Sequence, residues 1–309
     1  MSVEFRPLNN IGAEVVGLDL TAPVSDSVKA DVYAAWLDYG VLLFREMGTD
    51  ADAQVALTEW FGDLLDNEDN YALKSLSVEG TKQIIEVSRG GKPMSPSYFI
   101  DGKLTAGFLF WHQDLVYTPE ICKGSLLRMV QIPEEGGQTG WVDTAKAYDA
   151  LSDEMKARID GMELRHCLRT DLNGVPFGLP KSLREATMEE APYDKPSFPA
   201  LPHVVHPLVQ LHPETGRKSL GISPLGIVGI LGLPKDESDA LLKELVEFTL
   251  RPEFMLIHEW TVNDMIVWDN RRTIHSVLGY PYGQQRVAHR TTLSGKVNSG
   301  RLYQEAVDA

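Results

Sequence analysis

His112 and Asp114 stand two residues apart in the stretch Phe110-Trp111-His112-Gln113-Asp114-Leu115-Val116-Tyr117. In an extended chain, residues two apart project from one face. An imidazole and a carboxylate would then enter a shared space, and the apolar neighbours put that space inside the protein. Burying a bare charge costs several kcal/mol. The pair therefore needs a partner, and a divalent metal is one. Two ligands hold a transition metal poorly, so a third has to come from elsewhere.

Eight histidines occur. His203, His206 and His212 adjoin turn residues and are expected to be surface or structural. His166 neighbours Cys167 with no carboxylate at ligand spacing, and His258 stands alone before Glu259-Trp260, which suits a structural role. His275 differs. It follows Ile266-Val267-Trp268-Asp269-Asn270-Arg271-Arg272-Thr273, a strand that breaks into a polar turn, and Arg286 and Arg290 come 11 and 15 residues after it. On a strand, Arg286, Ala288 and Arg290 share a face. Exposed, the two guanidiniums are a basic patch; buried, each needs a planar anion such as a carboxylate. Two histidines and one carboxylate with open coordination positions are the ligand set of non-haem iron(II) oxygenases. His-x-Asp is common by chance; with a distant histidine and two arginines at these spacings it is far more specific.

The elements that must position these groups are mostly strands. Helices are expected from Ser25 to about Tyr39, over 51 to 63, over 145 to 152, from Ser152 to Ile159, and over 236 to 250. Strands are expected at 3 to 20, 41 to 44, 82 to 87, around His112, at 125 to 130, 138 to 142, 204 to 211, 219 to 222, 254 to 259, 265 to 268 and 285 to 293. Arg89 to Lys103 is expected as a loop and a candidate lid, and 170 to 200 as an irregular insert. Many strands with covering helices indicate a mainly β, two-sheet barrel or jelly roll over residues 1 to 309 as one domain, with lid or insert segments at 89–107 and 170–200. Gly-x-Gly-x-x-Gly and Gly-x-Ser-x-Gly are both absent, against a dinucleotide fold or an α/β-hydrolase.

A formal charge of −15 offers no basic face for nucleic acid or an anionic membrane, so an anionic substrate must be drawn in by local arginines. Cys122 and Cys167 form no Cys-x-x-Cys pair. No stretch reaches the roughly 18 to 20 apolar residues of a membrane span, and no leader pattern opens the chain, so the expected location is the cytoplasm. A homo-oligomer is compatible with this composition.

The chain resembles the taurine dioxygenase and 2,4-dichlorophenoxyacetate dioxygenase family of iron(II)- and 2-oxoglutarate-dependent oxygenases. The resemblance spans nearly its whole length. It rests on Trp111-His112-Gln113-Asp114, Gly136-Gly137-Gln138-Thr139, Ala147-Tyr148-Asp149-Ala150-Leu151, His212-Pro213-Glu214-Thr215-Gly216-Arg217-Lys218, Val267-Trp268-Asp269-Asn270-Arg271 with His275, and Arg286 with Arg290. It implies a double-stranded β-helix (cupin-like) core with Fe(II) held by His112, Asp114 and His275. It further implies that Arg286 and the Thr139 hydroxyl bind 2-oxoglutarate and that Arg290 binds a substrate anion. O2 would be the second co-substrate, with succinate and CO2 released as an unactivated C–H of a small organic acid is hydroxylated.

Gly107-Phe108-Leu109-Phe110 departs from the family: the taurine enzyme carries a polar residue there that reaches its substrate. Phe108 and Phe110, facing inward like His112, would make the pocket apolar. Leu115 would join them only if the strand ends before it. Desaturation, ring formation and cleavage of a C–O, C–N or C–S bond are alternative outcomes of the same chemistry. A metal-dependent hydrolase and a non-catalytic jelly-roll binding protein are alternatives of other classes. Asp114 argues against halogenation, which needs that position vacant for chloride.

Overall fold

A computed structural model describes residues 3–48, 50–67, 76–87, 95–193, 200–297 and 299–304. The chain opens with β1 (Glu4–Pro7), β2 (Ala13–Val16), helix α1 (Asp26–Tyr39), β3 (Val41–Phe44), helix α2 (Ala51–Thr58) and β4 (Ile84–Glu86). Then come β5 (Tyr98–Ile100), β6 (Lys103–His112), β7 (Gly124–Gln131), β8 (Thr139–Asp143), and helices α3 (Thr144–Asp149) and α4 (Asp153–Ile159). A long excursion follows: β9 (Glu163–His166), β10 (Arg184–Glu185), β11 (Val204–Pro207), β12 (Val209–Leu211), β13 (Lys218–Leu220), β14 (Ile227–Ile230) and helix α5 (Lys235–Thr249). The chain returns with β15 (Met255–His258), β16 (Met265–Asp269), β17 (Thr273–Pro281), β18 (Val287–Leu293) and β19 (Arg301–Leu302).

Two sheets make the expected jelly roll. One runs β1-β2-β3-β16-β7-β18-β4 and the other β10-β5-β6-β17-β8-β15. Between them, Leu127, Met129, Ile266, Trp268 and Ala288 of the first meet Trp141 and Leu256 of the second. α1 and α2 cover the outer face of the first sheet, where Trp36, Leu57 and Phe61 pack on Phe44, Leu126 and Val267. Ser25 starts α1 by accepting the Val28 N–H, and Gly40, at φ 75°, ends it. Arg272 then donates to the last carbonyls of α1, Leu37 and Asp38, and pairs with Asp143, tying helix to barrel. α5 and the excursion cover the outer face of the second sheet, with Leu241, Leu245 and Val246 against Val142, Ile274 and Phe110.

Two local features differ from the alternation read in the sequence. The first lies inside the span expected as a loop from Arg89. Residues 89 to 94 fall outside the described residues, but Tyr98–Ile100 and the chain from Lys103 form an antiparallel hairpin. Asp101 and Gly102 adopt φ 49° and 76°, the two left-handed positions of a type I′ turn, for which Asp-Gly is a favoured pair. The expected insert at 170 to 200 contributes β10, which pairs with β5 and extends the second sheet.

The second feature is a bulge in β6. His275 pairs with His112, yet Val277 pairs with Leu109, so β6 spends one residue more than β17 between those pairs. Phe110 and Trp111 therefore stand together opposite Ser276, on the outer face of the second sheet. Trp111 reaches across to Gly140, where an added Cβ would lie 2.5 Å from its ring. Phe110 packs toward Gly178, Val246 and Leu250 and is 2% exposed. Phe108 lies 6.4 Å from Phe110 in the same outer cluster. The inward expectation for Phe108 and Phe110 thus fails on the register shift, and Leu109 shares the face of His112.

Two outcomes follow from this packing. Phe110→Ala should lower the unfolding free energy by about 3 to 5 kcal/mol, the usual cost of emptying a buried phenyl site; a loss below about 1 kcal/mol in urea titrations would put the ring in open space instead. His166, fully buried on β9 with its ring 5.8 Å from that of His206, has its pKa pushed down to about 3 by burial and then by His206. Its ordinary value is 6.5, so between pH 6.5 and 3 the unfolded chain binds the extra proton. Stability is complete above that window and falls as pH drops through it, by up to about 1.4 kcal/mol per pH unit. His166→Leu should narrow the stability difference between pH 7.5 and pH 5 by about 1 to 2 kcal/mol. Parallel pH profiles for variant and parent would show that His166 does not stay neutral on folding.

Candidate active site

His112 is the last residue of β6, and His275 faces it from β17 with ring centroids 4.1 Å apart. Asp114 lies past the strand end, in a turn whose next residue, Leu115, adopts φ 56°. Strand alternation therefore does not bring His112 and Asp114 together; the turn does. The ligand atoms of His112, Asp114 and His275 all lie within 4.8 Å of one another. His112 Nε2 is 3.6 Å from Asp114 Oδ1, and His275 Nε2 is 3.9 Å from Asp114 Oδ2. The Phe110 carbonyl lies 2.9 Å from His112 Nδ1, which places the proton there and leaves the Nε2 lone pair directed at the carboxylate.

The ionisation states suit a divalent transition metal. Burial would raise the Asp114 carboxyl, but the Arg290 guanidinium outweighs it and holds it well below the usual carboxylate range. His275 is pushed down to about 3 by burial and by its neighbour His112, against the opposing pull of Asp114. An anionic carboxylate and a neutral imidazole are what metal coordination requires. Trp268 packs 4.8 Å from the His275 ring and fixes its plane.

Next to this set, Arg286 is 2% exposed. Its Nε donates to the Gly137 carbonyl at 3.0 Å and its Nη2 to Thr139 Oγ1 at 3.1 Å. Trp260 Nε1 donates to the same hydroxyl at 2.9 Å. Having accepted twice, the Thr139 hydroxyl keeps its own proton for an acceptor. Gly137 has φ 77°, and a Cβ there would meet Pro133 at 2.7 Å, so only glycine lets this carbonyl approach Arg286. Burial lowers the Arg286 guanidinium to about 10, which leaves it charged at neutral pH. Arg290 places Nη1 3.2 Å from both oxygens of Asp114, while its buried Nε has no hydrogen-bond partner among the described residues.

The structure thus gathers His112, Asp114, His275 and Arg290 into one cluster and sets Arg286 with Thr139. Leu115 is half-buried in the Asp114 turn, whereas Phe108 and Phe110 face away. His206, His212 and His258 are buried and structural: His212 Nε2 is 2.9 Å from Asp269, His258 Nε2 is 3.2 Å from Asp264, and His206 Nε2 donates to the Val116 and Thr118 carbonyls. Sequence reasoning missed Leu109 and Val277 on the inner face, Trp260 behind Thr139, and Asn270 against the Asp114 turn. Only Asn270 carried a signal, its place in the Trp268-Asp269-Asn270-Arg271 motif.

Comparison with known proteins gives the family and the fold. Residues 4–292 match the family model described as taurine catabolism dioxygenase TauD, TfdA family. An (S)-phenoxypropionate/alpha-ketoglutarate-dioxygenase of Sphingobium herbicidovorans is 31% identical over 94% of this chain and 95% of its own. An alkylsulfatase of Acinetobacter baylyi is 30% identical over 96% of this chain and 87% of its own. The crystal structure of a taurine dioxygenase from Burkholderia xenovorans superposes with a TM-score of 0.75 at 29% identity, covering 99% of this chain and 96% of that one. None of the helices among the described residues is long and apolar enough to cross a membrane. The chain belongs to the taurine catabolism dioxygenase TauD, TfdA family and is an iron(II)- and 2-oxoglutarate-dependent dioxygenase of small organic molecules.

Proposed function

We propose that the enzyme hydroxylates a small organic acid with an apolar body, whose carboxylate is held by Arg290. In this reading His112, Asp114 and His275 hold the iron, and Arg286 with Thr139 holds the far carboxylate of 2-oxoglutarate. The observation that carries the substrate assignment is Arg290: a guanidinium beside the metal-ligand cluster with a buried Nε donor that no group among the described residues uses. The names of the relatives support it, since phenoxypropionate and alkyl sulfates both join an anionic head to an apolar remainder. Bound iron and 2-oxoglutarate supply the oxidising power, with succinate and CO2 as by-products.

The chain's own residues bind, orient and exclude water. Arg290 fixes the anion close to the histidines, so the oxidised carbon lies near the acid group. Leu109 and Val277, paired across β6 and β17 on the histidine face, give the apolar body its contact surface. Thr139 directs its remaining proton toward the co-substrate carboxylate, and Trp260 holds the hydroxyl in that orientation. Leu115 completes the lining from the turn.

Arg286→Met should raise the half-saturating 2-oxoglutarate concentration by about a hundredfold or more, since stranding one member of a buried charge pair costs about 3 to 5 kcal/mol. An unchanged 2-oxoglutarate requirement would show that another cation binds it. For the substrate, a panel of carboxylates, sulfonates, sulfate esters and neutral analogues should be screened for succinate release coupled to substrate loss. Free acids should turn over, their methyl esters should not, and Arg290→Met should raise KM for the acids by about tenfold or more, the loss expected for a charge-assisted hydrogen bond of about 1.5 to 3 kcal/mol. Esters equal to acids, with Arg290→Met indifferent to the head group, would sink the carboxylate assignment and leave the iron chemistry standing.

A further inference from the structure

We propose that Asn270 is a positioning residue for the metal carboxylate, its side-chain amide locking the Asp114 turn to the strand that carries His275; this rests on Asp114 being a metal ligand. Asp114 needs such a lock. It lies beyond the end of β6, so no β-ladder holds its backbone, and the left-handed Leu115 turns the chain away at once. Asn270 lies five residues before His275, in the turn between β16 and β17, and is fully buried.

Its amide meets both polar backbone groups of Asp114. The Asp114 N–H donates to Asn270 Oδ1 at 2.9 Å, and Asn270 Nδ2 donates to the Asp114 carbonyl at 2.9 Å. The same Nδ2 donates to the Cys122 carbonyl at 3.1 Å, so both ends of the Asp114–Cys122 segment are drawn to one side chain. The backbone partners fix which end of the amide is oxygen, because a flipped amide would face N–H with NH2 and carbonyls with oxygen. The Asn270 carbonyl in turn accepts from Gln113 Nε2 at 2.6 Å. The turn holding Asn270 is itself pinned, since Asp269 accepts from buried His212 and from the Arg271 N–H. Asn270 thus behaves as a short strand edge made from a side chain, setting the distance between a carboxylate on a turn and a histidine on a sheet. Aspartate is the nearest isostere, but it would face the Asp114 and Cys122 carbonyls with an acceptor and would add charge. Alanine or serine is the cleaner deletion.

The test is Mn(II) affinity, followed as the disappearance of the free-ion electron paramagnetic resonance signal, in folded Asn270→Ala and Asn270→Ser. Serine leaves a hydroxyl and room for water should alanine fail to fold. Affinity should fall about 10- to 100-fold, the range seen when a partner of a metal ligand is removed. Ser238→Ala serves as the structural control: it deletes a buried hydroxyl that accepts the Ile230 N–H, far along the chain, and should lower stability with Mn(II) affinity unmoved. Mn(II) affinity within about twofold of the parent in both Asn270 variants, with binding abolished in Asp114→Ala, would overturn the Asn270 assignment alone. Unchanged affinity in Asp114→Ala as well would overturn the metal assignment on which it rests. Failure of both Asn270 variants to fold would also count against it, by showing that the amide serves the whole fold and not the ligand.

Discussion

A carboxylate buried beside two imidazoles is unfavourable by itself, and the arrangement around Asp114 follows from that. Desolvation works to protonate it; a guanidinium 3.2 Å away works to keep it charged, and the guanidinium wins. Charge compensation at this depth demands fixed geometry, because a buried pair repays its desolvation only when placed well. That places Arg290 on β18 of one sheet, the histidines on β6 and β17 of the other, and Asp114 between them. The jelly roll is the frame that lets two sheets present such groups to one interior.

The apolar layers serve that frame. Trp268 packs against both Trp141 and His275, cross-strand neighbours on the facing sheet, so the core that holds the sheets together also holds a ligand ring. On the outside, α1 ends in Gly40 against Arg272, whose ion pair with Asp143 closes the junction between helix and barrel. Arg286 and Thr139 show the same economy: a carbonyl that only a glycine could bring so close, and an indole behind the hydroxyl.

Much of this was legible in the residues. His112, Asp114 and His275 stood out by type and spacing, and the arginine pair by its shared strand face. The helix at 26 to 39 followed from its caps and period, and the one at 235 to 249 from its apolar period alone. What alternation cannot reveal is a change of phase. The extra residue at Phe110-Trp111 is stabilised by what lies across the sheet, Ser276 and Gly140 making room for the indole, and those positions are distant in sequence. The same limit hid the partner of the Asp114 turn, because Asn270 is 156 residues away from it. The Asp101-Gly102 hairpin was a local signal passed over inside a Gly- and Pro-rich run.

The bulge in β6 also bears on how such an enzyme could change. In a strictly alternating strand, a residue lining the cavity is bracketed by core residues whose sizes constrain it from both sides. Here two consecutive aromatic side chains anchor the outer face together, and Leu109 is left as an inward position flanked by residues already committed elsewhere. Leu109 nevertheless packs against that outer cluster as well, so substitutions there should be non-additive with changes in the outer layer, as for residues in contact. A change of substrate shape at this point therefore draws on the outer layer too, and a selection experiment aimed at new acids should vary Leu109 and Val277 together with the side chains behind Leu109.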